Sequence, residues 1–103
     1  MIRGKFMTSM DDVSTCLAMR AQVFPGARGE ADEYDRMAVY ALAINEENLP
    51  GGAGRLYIGD DSQFTIDRVG VLPEMRGQGL GDLLMRMLLY RALELNCAGV
   101  KLV

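Results

Sequence analysis

The sequence predicts an α/β domain (α+β by stricter usage), in which a mixed, mainly antiparallel sheet is flanked by helices. Several short apolar segments, separated by turn residues, come first in the chain. One long amphipathic helix then runs from Leu80 to about Asn96, and a last apolar segment, Val100–Val103, follows it. A strand–helix–strand unit of this kind gives a parallel strand pair joined by a right-handed crossover.

The composition indicates one folded globular domain spanning residues 1–103. Of these 103 residues, 50% are hydrophobic and 24% are charged. The formal net charge of -3 argues against non-specific nucleic-acid binding, which needs clustered Lys and Arg. No apolar run near the N-terminus is typical of a signal peptide or a membrane anchor. We therefore expect neither a nucleic acid nor a membrane as a partner.

The cysteine and histidine content limits which metal sites and catalytic groups the chain can form. The chain has two cysteines, Cys16 and Cys97, and no histidine. No CxxC or Cys/His spacing is present, so we expect no metal site, and a histidine general base is excluded. Both cysteines sit in apolar, helix-like contexts, which predicts buried free thiols and a cytoplasmic protein.

The first half of the chain alternates strand, helix and turn patterns. Ile2–Thr8 predicts the first strand, and Ser9 or Asp11 is placed to cap a helix that runs to about Gln22. One face of that helix would carry Val13, Leu17 and Ala21. The chain is then broken by Pro25, Gly26 and Gly29, and the acidic stretch Glu30–Asp35 predicts a short helical turn.

Three further strands are predicted before the long helix. Met37–Asn45 is apolar and suits a buried strand, and Asn48–Gly52 is typical of a hairpin turn. Gly54–Gly59 and Gln63–Leu72 predict two antiparallel strands around a turn at 59–62. The long helix would bury the stripe Leu80, Leu84, Met87, Leu88 and Leu95, widened by Leu83 and Ala92.

A glycine-rich loop, Arg76–Gly81, joins the last of these strands to the long helix. Glycines let a ligand approach the backbone, and free N–H groups at a helix start attract anions. A Walker loop is excluded because no lysine follows the glycines, and a Rossmann motif fails because Asp82 stands at its third glycine position. The pattern R-x-x-G-x-G remains, filled by Arg76, Gly79 and Gly81. The alternative is a glycine-rich turn that only caps a helix.

The run RVGVLPEMRGQGLGDLLM, Arg68–Met85, resembles the coenzyme A-binding motif of GNAT-family N-acetyltransferases. A weaker resemblance covers Ala18–Tyr40, so the likeness extends over roughly the whole chain, although only the glycine motif is specific. The resemblance implies a GNAT-like acyl-CoA N-acyltransferase fold with acetyl-CoA as cosubstrate. In that fold the fourth and fifth strands splay apart, and the cofactor enters the gap between them.

The resemblance also implies roles for particular residues. The pyrophosphate would lie on the backbone N–H groups of Gly77, Gln78, Gly79, Leu80 and Gly81, beside the cation of Arg76. The preceding strand would pair with the pantetheine amides at Val69 and Val71. Strand N–H groups near these valines would also polarise the thioester carbonyl, as an oxyanion site does.

The resemblance further implies that the sheet is abbreviated after the fifth strand, because family members continue with a helix and two strands. Those elements usually bring a tyrosine that protonates the leaving thiolate. None of Tyr34, Tyr40, Tyr57 and Tyr90 matches its position, so the catalytic acid stays unassigned. The apolar strand Gly99–Val103 would then be an open edge that pairs with another chain. We therefore expect a homodimer; the alternative is a marginally stable fragment.

The general base is also unassigned, and Asp67 is the one candidate for it. Asp67 lies on the strand that leads to the glycine motif; the alternative is that it faces solvent or pairs with Arg68. A dense set of carboxylates precedes the second strand: Glu30, Asp32, Glu33 and Asp35. These side chains would attract a cationic amine substrate; the alternative is that they form a solvated loop.

Together these observations predict an N-acetyltransferase that moves an acetyl group from acetyl-CoA to an unidentified amine. Two alternatives stay open: a coenzyme A-binding module without catalytic activity, and a dimeric interaction protein that uses only the sheet edge.

Overall fold

The computed structural model describes residues 1–95 and 99–103, which form two α-helices and five strands. The strands are β1 Arg3–Thr8, β2 Val39–Ile44, β3 Pro50–Ile58, β4 Phe64–Val71 and β5 Val100–Leu102. The helices are α1 Ser14–Val23 and α2 Leu80–Glu94. Short 3₁₀ turns cover Ala27–Gly29, Glu33–Arg36 and Pro73–Met75.

The five strands form one sheet in the order β1-β2-β3-β4-β5. The first three pairings are antiparallel, and β4 and β5 run parallel with α2 as the crossover between them. The mixed, mainly antiparallel sheet predicted from the sequence is therefore confirmed, as are the meander and the strand–helix–strand unit.

Helix α1 packs on one face of the sheet and α2 on the other. Strand β2 shows why this works, since its residues alternate between the two faces. Tyr40 and Leu42 join the core under α1, which includes Cys16 and Met19. Ala41 and Ala43 join the core under α2.

The side chains that α2 buries are Leu80, Leu84, Leu88 and Ala92. Leu95, which was predicted for this stripe, lies beyond the helix and is exposed.

Helix α1 differs from its prediction at both the cap and the buried face. It begins at Ser14, and neither Ser9 nor Asp11 caps it. Ala21 is exposed, whereas Arg20 is buried with 4% of its surface accessible. Arginine is usually a surface residue, so the prediction placed Ala21 on the buried face and not Arg20, which is buried because Asp35 pairs with it.

The hairpin between β2 and β3 also differs, because its turn lies earlier than Asn48–Gly52. The Asn45 side chain accepts hydrogen bonds from the N–H groups of Glu47 and Leu49, and this closes the turn before Pro50. The glycines that suggested a turn lie inside β3. A Cβ at Gly51 would come within 2.7 Å of Leu80 Cδ1, so these glycines make room for α2.

The predicted helix end at Asn96 and the predicted buried thiol of Cys97 lie outside the described residues. Within the described ranges, neither helix combines the length and the apolar character needed to cross a membrane.

Candidate functional site

Strand β4 carries a bulge opposite Gly54. Ala53 pairs with Gly70 and Arg55 pairs with Asp67, so two residues of β4 lie opposite one residue of β3. The first of the two, Arg68, has a φ of 50°, in the left-handed region that side chains other than glycine rarely adopt. The second, Val69, lies over Gly54, where a Cβ would meet Val69 Cγ2 at 3.0 Å. Such a bulge bends a strand and re-aims the residues that follow it.

The pairing of β4 with β5 ends just before this bulge. Strand β5 pairs with Phe64–Ile66, and the Val103 N–H donates to the Ile66 carbonyl at 3.1 Å. Beyond this point, no strand of the described chain lies on the β5 side of Val69–Val71. The two strands therefore part in the middle of β4, which leaves one main-chain edge of its C-terminal half open.

A cavity of about 470 Å³ lies at this open end of β4. We call it the glycine-loop cavity. Its lining joins the end of α1, the end of β4 and the loop that begins α2: Val23, Phe24, Val69, Gly70, Val71, Met75, Arg76, Gly77, Gly79, Leu80 and Gly81. Its volume falls in the range of small-molecule and cofactor sites.

The loop at the other end of the cavity has the backbone conformation of an anion cradle. Gly77 and Gly79 have φ values of 82° and 86°. A Cβ at Gly77 would meet no atom within 4 Å, so the loop is open on that side. Helix α2 begins at Leu80 without a side-chain cap on its N-terminal N–H groups. Uncapped N–H groups at the start of a 15-residue helix favour a bound anion.

Arg76 lies on the rim of this cradle and is exposed. Its Nε donates to the Val71 carbonyl at 3.2 Å, which ties the loop to the end of β4. Within the described residues no carboxylate pairs with its guanidinium, so the terminal nitrogens stay available to a ligand.

The predicted cofactor-binding residues are thus brought together, with one exception. Val69, Val71, Arg76 and Leu80 line the glycine-loop cavity together with the three loop glycines. Gln78 points elsewhere and borders a separate concavity of about 270 Å³ with Ile2, Glu46 and Glu47. Any part that Gln78 takes in the cradle is left to its backbone N–H.

Asp67, the candidate for general base, lies in an ion-pair network and does not line the cavity. It is 2% exposed, and its two oxygens accept from Nε and Nη2 of Arg55, both at 2.8 Å. It also pairs closely with Arg68, as the alternative interpretation expected. Both oxygens of Asp67 are engaged by arginines, and its side chain does not line the cavity where a substrate amine would meet the thioester.

The network continues through Asp32 and Asp35, whereas Glu30 and Glu33 of the same acidic stretch are exposed. Arg55 Nη1 lies 2.6 Å from Asp32 and 3.1 Å from Asp35. Arg20 holds Asp35 with two bonds of 2.9 Å. The members of this Arg/Asp cluster are Arg20, Asp32, Asp35, Arg55, Asp67 and Arg68.

The protonation of the cluster follows from these bonds. Burial acts to raise the pKa of Asp35, but hydrogen bonds from Arg20 and Tyr40 outweigh it and hold that pKa well below its usual range. Burial and the hydrogen bond to Asp35 raise the pKa of Tyr40. Asp35 therefore stays ionised at neutral pH, and Tyr40 keeps its proton.

Sequence reasoning missed this cluster, although a signal was present. Arg20 and Arg55 each stand at a position where the surrounding pattern predicts burial. A charged residue at such a position needs an ionised partner, and acidic residues were available at Glu30–Asp35 and Asp67. Which of them would meet the arginines depends on the fold.

Comparisons with known proteins agree with this geometry. The sequence model described as the Acetyltransferase (GNAT) family matches residues 13–103. An acyl-CoA N-acyltransferase from Pseudomonas aeruginosa shares the fold with a TM-score of 0.81 and 24% identity, over 99% of this chain and 78% of that one. Escherichia coli ElaA aligns with a TM-score of 0.81 and 21% identity, over 99% and 77% of the two chains.

A third structure of similar fold contains the cofactor. The aminoglycoside N-acetyltransferase AAC(6')-Iy, in complex with CoA, aligns with a TM-score of 0.73 and 15% identity, over 100% of this chain and 76% of that one. At such identities the structures establish the fold alone, whereas the family match covers most of the sequence. The chain belongs to the GNAT acetyltransferase family.

Proposed function

We propose that this chain binds acetyl-CoA in the glycine-loop cavity and transfers the acetyl group to an amine. The observation that carries the proposal is the continuity of that cavity. It runs from an uncapped, glycine-lined helix start to the open edge of β4. A ligand with a pyrophosphate at one end and an extended amide-bearing arm matches both features.

At the phosphate end, the N–H groups of Gly77–Gly81 would hold the pyrophosphate. The left-handed conformations of Gly77 and Gly79 support this role, because backbone segments with such residues form the concavities of N–H groups that bind anions. Arg76 would add a permanent positive charge, and its bond to the Val71 carbonyl holds its guanidinium beside the end of β4.

At the thioester end, the open edge of β4 would hold the pantetheine arm. The main chain of Val69 and Val71 offers hydrogen-bonding groups that β5 does not occupy. Val23 and Phe24 cover the same end of the cavity with apolar surface, which suits the acetyl group and limits access of water.

In the transfer itself, the amine nitrogen attacks the thioester carbonyl. A C–N bond forms, the C–S bond breaks, and the sulfur leaves as a thiolate. N–H groups at the β4 edge would stabilise the charge that develops on the carbonyl oxygen. The amine loses a proton and the thiolate gains one, and we assign neither step to a residue of this chain.

The proposal is tested by measuring acetyl-CoA binding and turnover with the purified chain. Isothermal titration with acetyl-CoA is expected to give one site per chain. Release of free thiol in the presence of a panel of small amines and peptide N-termini is expected to identify an acceptor. Lack of acetyl-CoA binding by a folded sample would contradict the proposal.

A second candidate, a coenzyme A-binding module without catalysis, is favoured by one observation. Among the described residues that line the cavity, Arg76 is the sole titratable side chain. Arginine serves as neither an acid nor a base near neutral pH. Acetyl-CoA binding without thiol release for any amine would support this module over the transferase.

We also propose that the chain, as one domain, forms a cytoplasmic homodimer through β5. This strand ends the sheet, and Leu102 and Val103 are 59% and 74% exposed. An apolar edge strand with open main-chain groups favours pairing with a second copy.

A further inference from the structure

The bulge in β4 holds a residue in an unfavourable conformation next to the proposed thioester site. Arg68 adopts a φ of 50°, which is uncommon for a side chain other than glycine. Such a conformation persists where surrounding contacts over-determine it. At Arg68, the contacts that hold the backbone in this conformation are made by its own side chain.

The Arg68 guanidinium is fixed on three sides. It pairs closely with Asp67, and its Nη2 lies 3.7 Å from Asp32 Oδ2. Its Nε donates to the carbonyl of Arg28 at 2.9 Å. These partners lie on β4 itself and on the segment that follows α1, so the side chain ties the bulge to the α1 side of the sheet.

The partners of Arg68 are held in turn by Arg55. Both Asp67 and Asp32 accept hydrogen bonds from this arginine, which is 1% exposed. Asp35 links Arg55 to Arg20 on α1. Three arginines and three aspartates therefore balance in charge, and the cluster connects α1, the turn Glu33–Arg36, β3 and the bulge in β4.

The position of this cluster suggests a purpose other than stability. A buried ion-pair network contributes little net stability compared with apolar packing of the same volume. Two members of this network, Asp67 and Arg68, lie between Ile66, where the pairing of β4 with β5 ends, and the open Val69–Val71 edge. Small misplacements of groups that contact a reacting carbonyl lower a rate by roughly 10²-fold.

We propose that Arg68 is a positioning residue for the transfer reaction. Its guanidinium, held by Asp67, Asp32 and the Arg28 carbonyl, keeps the bulge in the geometry that aims the Val69–Val71 edge at the thioester carbonyl. This inference rests on the proposed function, because it assumes that acetyl-CoA occupies the glycine-loop cavity. It assigns Arg68 no contact with substrate.

The test measures how strongly the protein polarises the thioester carbonyl of bound acetyl-CoA. It can be done without knowing the amine acceptor. Isotope-edited infrared spectra are recorded for [1-¹³C]acetyl-CoA bound to the full chain, and the Kd of CoA is measured by titration. Wild type is expected to shift the carbonyl band to lower frequency than in water. Arg68→Ala is expected to lose that shift while its Kd for CoA stays within about twofold, since the phosphate cradle is untouched.

Two further variants separate the side chain from the backbone. Arg68→Gly frees the backbone at positive φ but removes the guanidinium, so it is expected to lose the band shift like Arg68→Ala. Arg36→Ala removes one exposed positive charge outside the cluster and is expected to keep the shift.

The outcomes distinguish this proposal from the proposed function. A wild-type band shift that persists in Arg68→Ala, or that Arg68→Gly retains, overturns the positioning role and leaves acetyl-CoA binding intact. Loss of both folding and CoA binding in both Arg68 variants also overturns it, because the role is then structural. Absence of CoA binding by the folded wild type overturns both proposals.

Discussion

Gly70 shows how a single residue shapes the glycine-loop cavity. It lies on β4 between the two valines of the open edge, and the end of α1 packs directly onto it. A Cβ at this position would overlap Val23 Cγ1 and lie 3.2 Å from the Phe24 ring. The close approach of α1 and β4 therefore depends on the absence of a side chain here.

We expect Gly70→Ala to lower both stability and acetyl-CoA affinity. The β-branched Val23 side chain is stiff, so the end of α1 must move away, at a cost of about 1–3 kcal/mol for overpacking. Urea unfolding and acetyl-CoA titration measure the two effects. Gly99→Ala is the control, because its added Cβ meets no atom of residues 1–95 and 99–103 within 4 Å. Equal stability and affinity in the two variants would contradict this account of Gly70.

Among the elements, α2 and the glycine loop were predictable from local sequence, because capping glycines and helical periodicity are short-range signals. The bulge at Arg68 and the buried face around Arg20 were not. Both depend on which aspartates the fold places beside which arginines. The spacing of these residues along the chain does not predict that pairing. The start of β3 at Pro50 was missed for a similar reason, because its glycines serve packing against α2.

Helix α2 should be anchored through one face. Leu84 is 0% exposed beneath the sheet, whereas Leu93, on the same helix, is 70% exposed. Leu84→Ala is expected to reduce the free energy of unfolding by about 2–5 kcal/mol, because it leaves a cavity in the core. Leu93→Ala is expected to change it by less than about 0.5 kcal/mol. Chemical denaturation of both variants checks the prediction, and similar losses would contradict the assigned face.

The link between α1 and the turn Glu33–Arg36 should respond to acid. The folded-state pKa of Asp35 lies below its ordinary value of 3.8, so its stabilisation is complete above that pH. It is lost progressively as the pH falls below about 4 toward the folded-state pKa. Thermal unfolding between about pH 6 and pH 2 is expected to show a steeper fall for wild type than for Asp35→Asn. Parallel curves would contradict the role assigned to this carboxylate.

At the scale of the whole molecule, the chain has the fold of its family, with a helix on each face of the sheet. The cavity lies where β4 and β5 separate. The sheet topology was predictable, since one strand–helix–strand unit after a meander permits few arrangements. The acceptor was not, because the described cavity lining carries no acid or base that would indicate it.

The proposed homodimer is tested directly by measuring the mass of the protein in solution. Sedimentation equilibrium of wild type is expected to give twice the chain mass of 11.3 kDa. Leu102→Lys places a charge on the exposed face of β5 and is expected to shift the equilibrium to monomer. A wild-type monomer at high concentration, or a dimer unaffected by Leu102→Lys, would contradict pairing through this strand.

The most direct test of the central claim is thermal unfolding of the purified chain with and without acetyl-CoA. Ligand at 100 times its Kd is expected to add about 2.7 kcal/mol of stability, which raises the Tm of a domain of this size by roughly 10 °C or more. Arg76→Ala combined with Gly79→Asp removes the cation and places a carboxylate in the cradle, so this variant is expected to show no increase. An unchanged Tm for folded wild type at millimolar acetyl-CoA would contradict the claim that the glycine-loop cavity binds this cofactor.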